Sequence, residues 1–409
     1  MAKKVDLPEP IIPNDSWKVV KLGQYVKILN GYPFDSSRFT NSNENTYPLI
    51  RIRDVVRGYT ETFTDEDCPD EYKIKKGEIL IGMDGDFNIS RWKSDFGLLN
   101  QRVCKISTVS KDLDEKFLFY YLPIPLKLIN DATPSVTVKH LSSTSLQELH
   151  FPLPTLAEQQ RIVKRIESMF AKLDEAQEKA QNVVDGFETR KAAILHKAFT
   201  GELTAKWRKE NGVSDDSWEE KTIGELFTHT TGKALKKDNQ IGTLRKYITT
   251  SNLYWGRFDF SEVREMYFTD GELEKCTAKK GDLLVCNGGD VGRSAIWDFD
   301  YDICLQNHVS KLRKKDNNIE TRLFFYYFML SKIKGNVTAK GIGISSLSQK
   351  DLLAMKINLP TLPEQQEIVR ILDSVLEKEN KAKQAAEAVL EQIDLLKKSI
   401  LARAFRGEL

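Results

Sequence analysis

Two long stretches of the chain carry apolar residues at alternating steps of three and four, the pattern of a helix with one narrow apolar seam. The first seam begins at Ile162 and ends at Ile194, with Arg190 as its polar interruption. The second begins at Ile368 and ends at Ile400, with Glu379 as its polar interruption. The matched seams predict two helices that pair as a coiled coil. The remaining seam positions of the second stretch are Leu372, Val375, Ala382, Ala386, Val389, Ile393 and Leu396.

Both stretches are bounded by residues typical of helix ends. Each start carries a threonine three residues before a glutamate, the spacing of a capping box: Thr155 with Glu158, and Thr361 with Glu364. Each end carries a glycine, Gly201 or Gly407, which suits a left-handed C-terminal cap. These limits predict two helices of about 45 residues, each about 65–70 Å long.

The sequence also contains an internal repeat. The segment Pro-Thr-Leu-Ala-Glu-Gln-Gln at 154–160 returns as Pro-Thr-Leu-Pro-Glu-Gln-Gln at 360–366, and Phe-Thr-Gly-Glu-Leu at 199–203 returns as Phe-Arg-Gly-Glu-Leu at 405–409. Both pairs are related by a shift of about 206 residues. Between these matches the halves diverge, since Ile50-Arg-Ile-Arg-Asp-Val55 faces Ile248-Thr-Thr-Ser-Asn-Leu253. A repeated framework therefore carries two unlike surfaces.

The parts between the long helices mix short β-type runs with a helical patch. The runs include 48–52, 78–81, 282–286 and 308–312, and the patches lie at 116–121 and 321–330. We predict an α+β (mixed α/β) chain: two domains with twisted sheets at 1–153 and 204–359, separated by two long antiparallel coiled-coil helices at 154–203 and 360–409. An internal pseudo-twofold repeat would relate the halves and place the domains at opposite ends of a rod.

Composition narrows the functional class. No apolar run approaches the roughly 18 residues of a membrane span, and the start lacks an apolar export signal, so we expect no membrane and a cytoplasmic protein. The five cysteines form no Cys-x-x-Cys pair, which disfavours disulfides and structural zinc. The formal net charge of +2 is low for a solitary DNA-binding protein. It predicts either no nucleic acid or partners that share the phosphate contacts.

The tandem arrangement, with each half closing on Pro-Thr-Leu-x-Glu-Gln-Gln and a long helix that ends in Phe-x-Gly-Glu-Leu, resembles the specificity subunit of Type I restriction and modification enzymes. The resemblance covers nearly the whole chain. It implies two target-recognition domains, each recognising one part of a split sequence in double-stranded DNA, and helices that set the gap and dock two methyltransferase subunits. It also implies restriction subunits as partners, with S-adenosylmethionine, ATP and Mg on partner subunits and no cofactor on this chain.

Candidate DNA contacts are polar side chains suited to base edges and phosphates. In the first domain Arg51 and Arg53 alternate with Ile50 and Ile52, which predicts a strand with both arginines on one face. In the second domain a polar and aromatic cluster follows residue 244. The candidates are Arg38, Arg51, Arg53, Arg91, Lys93, Arg245, Lys246, Ser251, Asn252, Tyr254, Arg257, Arg293 and Lys340. For each of them a solvated surface position is the alternative interpretation.

Signs of chemistry in the chain itself are weak. There is no phosphate-binding loop, no dinucleotide fingerprint and no Asp/Asn-Pro-Pro-aromatic motif of amino-methyltransferases. Asp70, Glu71 and Lys73 weakly resemble a nuclease metal site, but the two acids are adjacent in sequence. Cys304 and His308 lack a second ligand pair. We therefore predict a non-catalytic subunit, with a structural coiled-coil adaptor with protein-binding end domains as the alternative.

Overall fold

The computed structural model describes residues 7, 17–133, 139–235, 240–337 and 347–409. The chain divides into two compact units. The first unit comprises Met1–Ala180 together with Ala388–Leu409, and the second comprises Gln181–Glu387. Each unit contains a mixed α+β domain, as the sequence pattern predicted, together with segments of both long helices. The domain limits inferred from the sequence stay predictions.

The first unit is built on a five-stranded and a four-stranded sheet, with a two-stranded sheet beside them. A parallel strand pair lies at the centre of the larger sheet, with Leu49 opposite Leu98. Both side chains are fully buried, as expected where both faces of a sheet are covered. In spatial order, the five-stranded sheet consists of Phe39–Thr40, Phe63–Thr64, Tyr47–Ile50, Phe96–Leu99 and Lys73–Lys75. The four-stranded sheet consists of Val26–Asn30, Val103–Thr108, Ile79–Gly82 and Ile89–Arg91. The two-stranded sheet pairs Lys18–Lys21 with His150–Leu153.

Helices of the first unit cover the four-stranded sheet and complete its core. Phe405, from the second long helix's end, is 3% exposed, and its ring lies 5.2 Å from the rings of both Phe117 and Tyr121. The core of this unit therefore includes a segment nearly 300 positions further along the chain than its neighbours. The helices are Asp54–Arg57, Glu115–Tyr121, Pro123–Ala132, Ser143–Glu148 and Leu156–Asp185, with 3-10 turns at Leu22–Gln24, Ser36–Arg38 and Asp70–Tyr72.

The second unit repeats most of this topology, but its sheet with the central parallel pair has four described strands instead of five. Its central parallel pair places Tyr247 opposite Cys304 and Ile248 opposite Leu305. A short hairpin, Leu253–Tyr254 with Arg257–Phe258, has no counterpart among the described strands of the first unit. In spatial order, the sheet with the parallel pair consists of Arg264–Phe268, Thr243–Ile248, Ile303–Leu305 and Thr277–Ala278. A second four-stranded sheet consists of Phe227–Thr231, Val309–Lys314, Leu283–Cys286 and Ser294–Ile296. A two-stranded sheet pairs Glu219–Thr222 with Lys356–Leu359.

The helices of the second unit include part of each long helix. At Gly186 the first long helix divides into Leu156–Asp185 and Phe187–Phe199, but the Gly186 amide still donates to the Asn182 carbonyl at 3.1 Å, so the helical hydrogen bonds continue across the division. The second runs without a break over Leu362–Ala404. Gly201 and Gly407 adopt positive φ angles of 81° and 74°, which confirms the left-handed caps. The other helices are Ala205–Asn211, Ile223–Leu226, Asp270–Cys276, Thr321–Ile333 and Gln349–Leu353, with a 3-10 turn at Glu202–Thr204.

The repeated Glu-Gln-Gln motif has a structural role in both units. Gln159 is fully buried; its amide donates to the carbonyls of Asp112 and Pro154 at 2.8 and 2.9 Å and accepts from the Asp114 amide at 2.8 Å. Gln365 makes the same three bonds, with Asn318, Pro360 and Glu320. Each glutamine thus joins the start of a long helix to the loop that leads from the four-stranded sheet into the next helix.

The glutamates of the same motif differ. At the first, the Glu158 amide donates to the Thr155 hydroxyl at 3.4 Å, and the Glu158 carboxylate pairs with exposed Arg161. At the second, Glu364 is fully buried and accepts from Arg208 at 2.7 Å, from Thr204 at 2.7 Å and from the Trp218 indole at 3.0 Å. The prediction of a capping role for Glu364 was therefore wrong, because three donors of its own unit take up the carboxylate.

The long helices run antiparallel within each unit. In the first unit Arg161 donates to the Leu409 carbonyl at 3.0 Å, and Lys397 pairs with Asp174 at 2.6 Å, so rising numbers on one helix meet falling numbers on the other. In the second unit Arg190 pairs with Glu379 at 2.8 Å. The two polar interruptions of the apolar seams thus neutralise each other.

The seam of the second long helix departs from the predicted heptad. Val375, Ala382, Val389 and Leu396 are more exposed than the residues that directly follow them, which are Leu376, Lys383, Leu390 and Lys397. Both lysines lie over aromatic rings of the first long helix, since the ammonium of Lys383 lies 4.9 Å from the Phe187 ring centre and that of Lys397 lies 6.0 Å from the Phe170 ring centre. Lysine stems can line a helix interface while their charges stay outside, which a binary pattern of apolar residues misses.

Candidate nucleic-acid interface

The same turn follows the central parallel strand in each unit. In the first unit the Asp54 carboxylate accepts from the Arg51 amide at 3.0 Å, three residues earlier. In the second unit the Asn252 side-chain oxygen accepts from the Thr249 amide at 2.9 Å. Short polar side chains stabilise turns in this way by bonding nearby backbone. We call residues 51–62 the first-domain loop and residues 249–257 the second-domain loop.

This turn overturns the predicted strand face of Arg51 and Arg53. The strand ends at Ile50, and Arg53 immediately precedes the short helix Asp54–Arg57. The guanidinium of Arg51 lies 5.9 Å from the Phe39 ring, whereas that of Arg53 donates to the Thr62 hydroxyl at 2.9 Å. The alternation failed because the Asp54 carboxylate draws the backbone amide of Arg51 into a turn instead of a sheet.

The first-domain loop borders an open polar groove that extends to the segment between two short strands. Amide, guanidinium, hydroxyl and carboxylate groups line the groove together. The sequence prediction included Arg53 but missed the others; the signal for two of them was the polar run at 41–46 between strands. The polar lining residues are Asn41, Asn43, Arg53, Arg57, Thr60 and Glu61.

The other first-domain candidates divide into two groups. Lys93 is exposed beside the loop, where its amide donates to the Gly58 carbonyl at 3.3 Å; Gly58 has a φ of 79°, and its lack of a Cβ makes room for the Lys93 stem. Arg38 pairs with Asp65 at 2.7 Å, and this hydrogen bond raises the pKa of Arg38. Arg91 donates to Gly77 and Glu115, both at 2.8 Å. The last two guanidiniums thus have partners inside the unit.

The second-domain loop brings several candidates together around one aromatic ring. The guanidinium carbons of Arg257 and Arg293 lie 4.3 and 5.1 Å from the centre of the Tyr254 ring. Arg293 also donates to the Thr250 carbonyl at 2.6 Å, and the Ser251 hydroxyl lies 2.6 Å from that of Thr249. This arrangement presents cations, a hydroxyl and an aromatic side chain from one loop and its neighbour.

The remaining second-domain candidates are placed differently. Asn252 is buried, and its amide nitrogen donates to the carbonyls of Asp259 and Glu262 at 3.0 and 2.8 Å. Its side chain is therefore already hydrogen-bonded inside the protein. Arg245 and Lys246 are exposed on strand Thr243–Ile248, opposite Met266 and Glu265. Lys340 lies outside the described residues. As DNA contacts, all of the candidates stay predictions.

A metal site finds no support in the described part of the chain, because no group of three or more His, Cys, Asp or Glu side chains there is arranged to hold a metal ion. Lys73 forms an ion pair with Asp70 at 2.9 Å. All five cysteines are buried free thiols, and burial raises the pKa of Cys104 to about 12 and that of Cys286 to about 11. No helix in the described ranges has both the length and the apolar character to cross a membrane.

Comparison with known proteins identifies the family to which this chain is similar. The family model described as "Type I restriction modification DNA specificity domain" matches residues 14–184 and again 215–392. The Type I restriction enzyme EcoBI specificity subunit of Escherichia coli is 31% identical, over 97% of this chain and 87% of that protein. The MjaVIII specificity subunit of Methanocaldococcus jannaschii is 23% identical, over 97% of this chain and 94% of its own.

Two solved structures share the fold. The HsdS subunit from Thermoanaerobacter tengcongensis superposes with a TM-score of 0.60 at 19% identity, covering 97% of this chain and 98% of that one. A chain from a structure concerned with complex assembly and conformational transition of the type I R-M system gives a TM-score of 0.69 at 19% identity, covering 99% of this chain and 100% of that one.

Proposed function

The chain belongs to the family of Type I restriction–modification specificity subunits, and from that membership we propose that it recognises a two-part sequence in double-stranded DNA, one part with each unit. The observation that carries this proposal is the matched turn. Asp54 and Asn252 accept the equivalent backbone hydrogen bond, while the loops differ in composition: the first carries three arginines, and the second carries one arginine and begins with Thr-Thr-Ser. Equivalent frames with unlike polar side chains suit two different half-sites.

Around these loops we propose DNA contacts from side chains that reach solvent. In the first unit, Arg51, Arg53 and Lys93 adjoin the first-domain loop. In the second, the group around Tyr254 and the exposed strand carrying Arg245 and Lys246 offer cations to phosphates and donors to bases. The second-unit residues are Arg245, Lys246, Ser251, Tyr254, Arg257 and Arg293.

The proposed partners are two methyltransferase subunits and the restriction subunits of the same complex. Support for two equivalent docking surfaces comes from ion pairs at repeat-related positions: Lys116 with Glu167 and Arg322 with Asp373, both at 2.8 Å. A repeated surface suits two copies of one partner. In this proposal the chain is non-catalytic and cytoplasmic, and S-adenosylmethionine, ATP and Mg bind to partner subunits.

We further propose that helix length sets the gap between the half-sites. Half-sites one or two DNA turns apart are separated by about 35–70 Å, which is comparable with the rise of a 43-residue helix at 1.5 Å per residue. Inserting one heptad into both long helices should change the preferred gap and leave both half-site sequences intact. Selection of DNA from a random pool measures both properties, and an unchanged gap would contradict this role.

The function is tested by co-expressing the chain with methyltransferase subunits and sequencing the methylated DNA. We expect methylation at one split sequence that depends on this chain. DNA cleavage or methylation by the purified chain with only a metal or methyl donor would contradict the non-catalytic role. Failure to retain DNA even with methyltransferase subunits present would favour a structural coiled-coil adaptor instead.

A further inference from the structure

The two arginines that line the first-domain groove are held differently. Arg53 donates to the Thr62 hydroxyl at 2.9 Å, and its Nε lies 3.9 Å from the Asp54 carboxylate. The Arg57 side chain is exposed, and its guanidinium has no hydrogen-bond or ion-pair partner among the described residues. A guanidinium has five donors in a fixed planar fork. Arg57 therefore keeps its fork available for a ligand, while Arg53 is already oriented by the protein.

The groove mixes charges in a way that disfavours a phosphate track. Exposed Glu61 lines the groove together with Arg57 and two asparagines, Asn41 and Asn43. A carboxylate repels a phosphate oxygen, but it can accept from the amino group of cytosine. Arginine matches the two acceptors of guanine, and asparagine matches the paired donor and acceptor of adenine. The set of side chains fits base edges, which carry both donors and acceptors.

We propose that this groove recognises base pairs of one half-site through the major-groove edge, with Arg57 as the principal base-contacting residue. The inference rests on the proposed function and deepens it, because it assigns specificity to one side chain that the sequence pattern did not single out. Asp54 is a positioning residue: its carboxylate holds the turn from which the helix Asp54–Arg57 begins, and Arg57 is that helix's last residue.

The second unit suggests how to test the positioning role. Asn252 forms there the same turn that Asp54 forms in the first unit, so an asparagine side chain can hold this backbone. Asp54→Asn should therefore keep the half-site preference, whereas Asp54→Ala should lose it. Equal loss with both variants would overturn the positioning role, since a turn-forming acceptor is present in only one of them.

The main experiment compares Arg57→Gln with Lys127→Gln in the complete chain, co-assembled with methyltransferase subunits. Lys127 is the matched control, an exposed cation of the same unit that pairs with Asp131 on its own helix. Each complex selects DNA from a pool randomised at both half-sites and the gap. For Arg57→Gln we expect discrimination to fall about 5- to 150-fold at one or two positions of one half-site, with the other half-site and the gap unchanged.

Other outcomes overturn the inference in distinguishable ways. Uniform weakening across all sequences, with a shallower dependence of binding on salt, would make Arg57 a phosphate contact. An unchanged preference, or the same change with Lys127→Gln, would exclude the groove from sequence recognition. A parent complex that selects no DNA sequence would refute the proposed function itself. Thermal melting of each variant checks that the exposed substitutions leave the fold intact.

Discussion

Replacing Glu364 by alanine should destabilise the second unit far more than replacing Glu158 destabilises the first, although both occupy the same position of a repeated motif. Glu364 is fully buried and accepts from Arg208, whose side chain is 8% exposed. Although burial opposes its charge, hydrogen bonds with Glu364 and Asp215 raise the pKa of Arg208, so the guanidinium stays charged. Removing one partner of a buried pair costs about 3–5 kcal/mol, because the other charge is left behind.

The expected value lies near the lower end of that range. Arg208 keeps its bond to Asp215 at 3.0 Å and to the Gly201 carbonyl at 2.9 Å, which partly compensates the lost carboxylate. The Trp218 indole and the Thr204 hydroxyl each lose an acceptor, at about 1 kcal/mol apiece. We therefore expect a loss of about 3–4 kcal/mol. For a unit of this size that lowers the melting temperature by about 6–16 °C.

Glu158→Ala is the matched control. Its carboxylate is 33% exposed and pairs with Arg161, which is 53% exposed, so the expected cost is at most about 1 kcal/mol. Calorimetry gives the melting temperatures, and hydrogen exchange of peptides covering 201–218 localises the effect to the connection after the first long helix. Equal losses in the two variants, or less than about 1 kcal/mol for Glu364→Ala, would refute the view that this carboxylate is an internal anchor.

Gln159→Leu and Gln365→Leu should each cost at least about 2 kcal/mol by calorimetry, because one amide donor and two carbonyls lose their partners; stability within 0.5 kcal/mol of the parent at both sites would contradict this. Arg190→Glu should destabilise the second unit, and adding Glu379→Arg should restore it in a double-mutant cycle; no coupling would show that the pair is solvated. Cys104 should react with a thiol reagent only on unfolding, so rapid labelling of the native protein would contradict its raised pKa and burial.

The sequence predicted the large-scale organisation well because repeats and seams are long-range patterns with many matching positions. The fold class, the two long helices and the left-handed glycines at 201 and 407 are confirmed. The placement of Arg190 against Glu379 explains why each seam carries one polar interruption. The pattern of one helix could not identify the partner of either charge, because that partner lies on the other helix.

Local errors arose where a short polar group or a long cation changed the backbone or the interface. The alternation around Arg51 looked like a strand, but the Asp54 carboxylate ended the strand at Ile50. Lys383 and Lys397 hold seam positions that a pattern of apolar residues assigns to their neighbours. Glu364 matched a capping box in spacing and is instead buried by groups that lie about 150 positions earlier in the chain. Such partners are visible only in three dimensions.

The insertion of Phe405 among Phe117 and Tyr121 has a consequence for how the protein is made. Synthesis proceeds from the N-terminus, so the first unit emerges from the ribosome well before Ala388–Leu409, the segment that completes its core. In the interval the site of Phe405 is an open apolar surface. All residues of the second unit, Gln181–Glu387, are synthesised before that last segment, so the second unit can complete its fold before the first. An interrupted translation product would leave the apolar surface of the first unit exposed to chaperones.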